Sequence, residues 1–197
     1  MQRPSLTDLV VVAGPPLLLA GFGLVHPMDL TADSAARWRD LHIALLPIFP
    51  LLALGPWTIV RGEHPAVRWA VGLLGFAYAV FYTALDVLAG IAAGSLKNAG
   101  AEDNWTSVMF AQGNDLATYG VWAILLATVL AAGAALRRAG LGALPGAVIV
   151  VAAAVSFQNS HIYWPRGGIT MIALAVGWAA LVVALANPLA ATRAATV

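Results

Sequence analysis

Tyr78-Ala79-Val80-Phe81-Tyr82-Thr83-Ala84-Leu85-Asp86 lies inside a long apolar run, and Asp86 is the only formal charge between Arg68 and Lys97. Tyr78, Tyr82 and Asp86 recur at i, i+4 and i+8, so a helix places them on one face. A carboxylate in a membrane-length helix is costly, and it is expected to face protein or water and to have a partner. The rest of the chain is therefore read as the supply of partners for Asp86.

Composition makes the membrane reading firm. Of 197 residues, 61% are hydrophobic and 10% are charged, whereas soluble domains carry roughly 25% charged residues. Most of this chain cannot face water, so its first expected partner is the lipid bilayer. The length suits a single domain over 1–197. With no cysteine there is no disulfide framework, thiolate metal site or thiol nucleophile. A net charge of +1 without a basic patch gives no argument for nucleic acid. Nine arginines against one lysine, in a chain rich in Ala, Gly and Val, point to a GC-rich bacterial source and so to a bacterial inner membrane.

Six apolar segments approach the ~20 residues that cross ~30 Å of hydrocarbon. They run from about Leu6 to Val25, Leu41 to Val60, Val67 to Leu88, Leu116 to Leu136, Leu144 to Tyr163 and Ile169 to Leu185. The first has a basic start, like a signal peptide, but no small-x-small cleavage site follows it, so it reads as a span. Pro15-Pro16 should kink the first span, and Pro47, Pro50 and Pro56 the second. Asp33 or Ser34 is a fair N-cap for the second, with Asp33 and Arg37 paired at i, i+4. Gly90 and Gly94 form a close-packing GxxxG pattern. The runs are too long and continuous for barrel strands. The expected fold is all-α, six transmembrane helices in one domain.

Arg3, Arg61, Arg68, Arg137, Arg138 and Arg193 fall on one side of such a bundle, and Arg37, Arg39, Lys97 and Arg166 on the other. The more basic side is expected to be cytoplasmic, which puts both termini inside. The outer side then carries the long connections. In the one from Lys97 to Asn114, the Trp105–Phe110 stretch reads as a short interfacial piece.

Counting from the basic residues reveals a polar layer. Arg61 to His42 is 19 residues, Arg68 to Asp86 is 18, and Arg137 to Asp115 is 22. Arg138 to His161 and Arg3 to His26 are each 23. Each count is roughly 27–35 Å of helix. His26, His42, Asp86, Asp115 and His161 should therefore share one depth near the outer boundary. His64 sits in a cytoplasmic loop and reads as solvated.

Three neutral imidazoles and a carboxylate suit Zn²⁺ first, and also Fe, Ni or Cu. His26, His42 and His161 are the candidate ligands. Asp86 would be a fourth ligand or the acceptor of an imidazole N–H. Tyr82, Asp115 and Arg39 are candidates for the surrounding shell, Tyr82 as the group orienting Asp86. An open zinc position activates water, which would make the protein a hydrolase at the outer face. Haem held by two of the histidines is an alternative. So are a proton- or cation-coupled transporter built on the same layer and a scaffold or accessory subunit in which these groups only fix packing. A membrane partner subunit or a second copy of the chain would then be expected. Trp38, Trp57, Trp69, Trp105 and Trp164 read as interfacial anchors, Trp122 and Trp178 as interior packing, and Gly167-Gly168 as a tight turn.

Overall fold

The computed structural model describes residues 4–187, so Arg3 and Arg193 lie outside the described residues. Every regular element among them is helical. In chain order these are α1 (Leu6–Val25), α2 (Ala35–Leu45), α3 (Leu54–Ile59), α4 (Pro65–Leu85), α5 (Ala93–Asn98), α6 (Asp103–Ala139), α7 (Leu144–Phe157) and α8 (Arg166–Ala186). Short 3₁₀ turns join α2 to α3, α3 to α4 and α6 to α7, and a π-helical segment, Asp86–Ala92, joins α4 to α5. Five of the continuous helical runs are long and apolar enough to cross a bilayer. Large apolar side chains such as Leu17, Leu73, Phe76, Leu126 and Val176 are exposed along them. That is the surface of a membrane-embedded bundle, because lipid is as good a solvent for these groups as a protein core.

Small residues let the helices approach. A Cβ on Gly120 of α6 would lie 3.2 Å from the Tyr82 amide, and one on Gly113 would lie 3.1 Å from the Ala89 Cβ. These two positions hold α6 against α4 and the π segment. Gly177 of α8 meets Val150 of α7 in the same way, its Cβ position 2.8 Å from the Val150 amide. Gly94 packs on Arg39 and Ala35, so the Gly90–Gly94 pattern is the seam between α2 and the π segment.

Several expectations need correction. The second span starts ahead of Leu41, at Ala35 after the Ser34 N-cap as the capping residues suggested, but its prolines break it into α2, a 3₁₀ turn and α3. Ser34 is the N-cap of α2 but makes no side-chain capping bond there. Its hydroxyl instead donates to the Asp29 carbonyl at 2.7 Å. Arg37 donates to the Val25 carbonyl at 2.6 Å instead of pairing with Asp33, because that free carbonyl ends α1 and wants a donor. The stretch read as a loop, Lys97 to Asn114, is mostly helix: α6 starts at Asp103 and runs 37 residues. Trp105–Phe110 is its first part. The fifth segment stops at Phe157, six residues short, because Gln158–Pro165 turns back toward α8. Gly167-Gly168 is not a turn. Both lie in the first turn of α8 and are buried against Ile162 and Trp164. Trp38 and Trp164 are not anchors: their indole N–H groups donate to the Ala89 and Ala20 carbonyls at 3.0 and 2.9 Å. Trp122, read as packing, is 55% exposed.

The two ends of the bundle differ. At one end Glu63 pairs with Arg137 and Arg138, and Arg61 donates to Asp8 at 2.6 Å. Glu63→Gln should lower stability by about 1 kcal/mol, since the arginines are half exposed and screened; thermal unfolding in detergent reads this. His26, His42 and His161 gather at the other end.

Candidate metal centre

His26 is the residue at which α1 stops, with an extended backbone (φ −71°, ψ 126°). His42 lies in the last turn of α2 and is buried. His161 belongs to the turn between α7 and α8 and holds φ 42°, a left-handed conformation rare outside glycine and costly for a histidine. Together, the three imidazoles each offer one ring nitrogen within 4.8 Å of those of the other two. Ring centroids are 5.1 Å apart for His26–His42, 5.6 Å for His26–His161 and 6.1 Å for His42–His161. A tetrahedral zinc with ~2.05 Å bonds wants nitrogens about 3.3 Å apart.

The hydrogen bonds decide which nitrogen is available. His26 Nδ1 donates to the Pro27 carbonyl at 2.6 Å, and His42 Nδ1 donates to the Trp38 carbonyl at 2.8 Å. A carbonyl only accepts, so in each neutral ring the proton is on Nδ1 and the lone pair is on Nε2. His161 Nδ1 is 2.8 Å from the Tyr82 hydroxyl. That partner both donates and accepts, so His161 presents its Nε2 lone pair when its own ring donates. The Nε2 atoms of His26 and His161 are buried with no hydrogen-bond partner among the described residues. Such an unmet buried group costs about 1–3 kcal/mol, and a bound ion would remove the cost.

Burial lowers the pKa of His26 to about 4, with the neighbouring His42 and Arg37 charges adding to it. Burial, then His26 and His42, holds His161 well below the usual imidazole range. Both rings are therefore neutral at physiological pH, the state in which imidazole binds metal. Tyr163 is pushed up to about 12 by burial, with Asp29 and Asp86 contributing. It is a neutral phenol beside His26, at a ring distance of 4.7 Å.

No protein family, curated protein or solved structure matches this chain.

The centre is held by a chain of contacts that starts at the π segment. There the Ala89 carbonyl accepts the Trp38 indole N–H. Trp38 stacks on the His42 ring at 5.2 Å and supplies the carbonyl that fixes its tautomer. On the opposite side, His42 lies directly on Gly90, where any Cβ would fall on the ring. Arg37, by bonding the Val25 carbonyl, ties α2 to the end of α1 and so to His26.

The other candidates fall differently. Asp86 is fully buried, on one stripe with Tyr78 and Tyr82, and begins the π segment. It is not in the group of three nitrogens. Nor does it accept an imidazole N–H, since those bonds go to Pro27, Trp38 and Tyr82. Both its oxygens lack hydrogen-bond partners among the described residues. The Tyr82 hydroxyl bonds His161, not the Asp86 carboxylate. Asp115 is exposed on α6, and Arg39 is bonded to the adjacent Asp40 at 2.8 Å. Counting depth found the histidines but missed Trp38, Tyr163 and Gly90. Only Trp38, four residues before His42 on α2, carried a local signal.

Proposed function

We propose that His26, His42 and His161 hold one transition-metal ion, zinc first, at one end of a six-span bundle, and that the ion activates water for hydrolysis. One observation carries this: two imidazoles have their Nδ1 protons committed to carbonyls, beside a third ring at hydrogen-bonding distance from a phenol. This is the outer-shell arrangement that orients zinc-bound histidines. Three imidazoles converging on one point favour an ion over haem, which takes two. Three protein ligands and one open position are the pattern of catalytic zinc. His26, His42 and His161 would hold the ion, which would supply Lewis acidity and a water activated near neutral pH, while Pro27, Trp38 and Tyr82 would orient the three rings.

In the six-span reading, α7 spans about 21 Å and is completed by the turn after it. The arginine-rich end is cytoplasmic by the basic-residue rule, and the histidine end faces outward.

Protein purified without a histidine tag should contain about one metal ion per chain, with zinc dominant, by elemental analysis. A metal-free preparation that takes up none on dialysis against Zn²⁺ would sink the reading. Tyr82→Phe should weaken zinc binding by about 10–100-fold, because His161 loses the partner of its Nδ1; chelator competition measures it. Asp86→Asn should keep the stoichiometry at one, since the three histidines hold the ion without it. Loss of metal in that variant would make Asp86 a ligand.

A further inference from the structure

A cavity of about 490 Å³ opens beside the three histidines, with His42 and His161 in its wall. This volume falls in the ~300–1,000 Å³ range of small-molecule sites. Trp38, Leu85, Phe110, Val121 and Phe157 give its wall apolar surface. Asn114 and Asn159 are exposed, and their side-chain amides make no hydrogen bond among the described residues. Among the residues lining it there is no Lys, Arg, Asp or Glu. Two of the flanking polar groups are already engaged: Gln158 donates to the Val121 carbonyl at 2.8 Å, and Thr118 donates to the Asn114 carbonyl at 3.0 Å.

We infer that this cavity is the substrate site of the metal centre and that it takes an uncharged amphiphile presenting a carbonyl oxygen to the ion. The inference rests on the metal reading above and adds the substrate class. The physical reason is desolvation. A ligand carrying a second charge, anionic or cationic, would leave water for a wall with nothing to pair it, at a cost that grows with burial. An uncharged ligand loses little against the apolar side chains and can bond the Asn114 and Asn159 amides among them. The metal itself would take one head group of the ligand, through one oxygen or a chelating pair, and leave any second charge unmet.

The test uses the full chain loaded with Co²⁺, whose visible absorption reports a change of ligand. Benzohydroxamic acid is the uncharged-tail probe. Its 4-carboxy and 4-aminomethyl derivatives carry the same metal-binding group with an anionic or cationic tail. Benzohydroxamic acid should shift the cobalt band with a Kd at least tenfold lower than either charged derivative. Thr118→Trp places a large ring at an exposed position of the cavity wall. It should keep cobalt at one per chain and weaken benzohydroxamic acid binding at least tenfold in the same detergent. Ala117→Trp fills the cavity from a more buried position and should do the same if it folds. Equal or tighter binding of a charged derivative, or unchanged binding in Thr118→Trp, overturns the substrate class while leaving the metal. Failure to take up cobalt at all overturns the metal reading, and this inference falls with it.

Discussion

His42→Ala should leave the protein folded and unable to hold the proposed ion, with zinc affinity reduced by more than 100-fold. Changing an outer-shell partner typically costs 10–100-fold, so losing a ligand from a set of three costs more. His42 is the sharpest position for this test for two reasons. It is the one histidine of the three inside a regular helix, so its backbone does not depend on the ion. Its ring is also held on both sides, by Trp38 and Gly90, and so reaches the centre in one orientation. The Trp38 carbonyl that loses its side-chain donor still lies within the hydrogen-bonded ladder of α2, so little stability should be lost. Elemental analysis and competition with a chromogenic chelator read the outcome. A variant that keeps one tightly bound zinc would show that the three imidazoles are a packing cluster.

Gly90→Val is expected to be the most damaging substitution that touches no proposed ligand. Its Cβ would fall on the Cβ, Cγ and Cδ2 atoms of His42, which are the near end of the side chain and cannot swing away. Either α2 separates from the π segment or the imidazole leaves the centre. Overpacking of this kind costs about 1–3 kcal/mol, and zinc affinity should fall at least tenfold with it. Gly133→Ala is the control. Nothing lies within 4 Å of a Cβ there, and it sits inside α6. It should bind zinc normally and gain about 0.5–1 kcal/mol from the better helix former. Thermal unfolding and metal content on the same preparations separate the two. Gly90→Val with normal metal content would mean that His42 does not need its present position.

How far the sequence was legible is clearest from single residues. Apolar runs, the Tyr78–Tyr82–Asp86 stripe and the Gly90–Gly94 seam are properties of neighbouring residues in one helix, so they could be read directly. Depth could be read too, because rise per residue is nearly constant and the arginines mark one end. That brought His26, His42 and His161 to a common level. It did not separate them from Asp115, which shares the depth but points outward. Depth is one coordinate, and a site needs three.

By itself, then, the sequence determined the solvent of this protein, its helical class and the end of the bundle where His26, His42 and His161 gather. Hydrophobicity and helical period are local and additive, so they survive without a structure. Only the tertiary structure decided that three imidazoles meet, that Trp38 and Tyr82 hold them, and that Asp86 stands apart. Those outcomes depend on a turn at φ 42° before α8, a π segment that turns a carbonyl toward Trp38, and a glycine under a ring. Each is a relation between elements distant in the chain, and no window of sequence contains both partners.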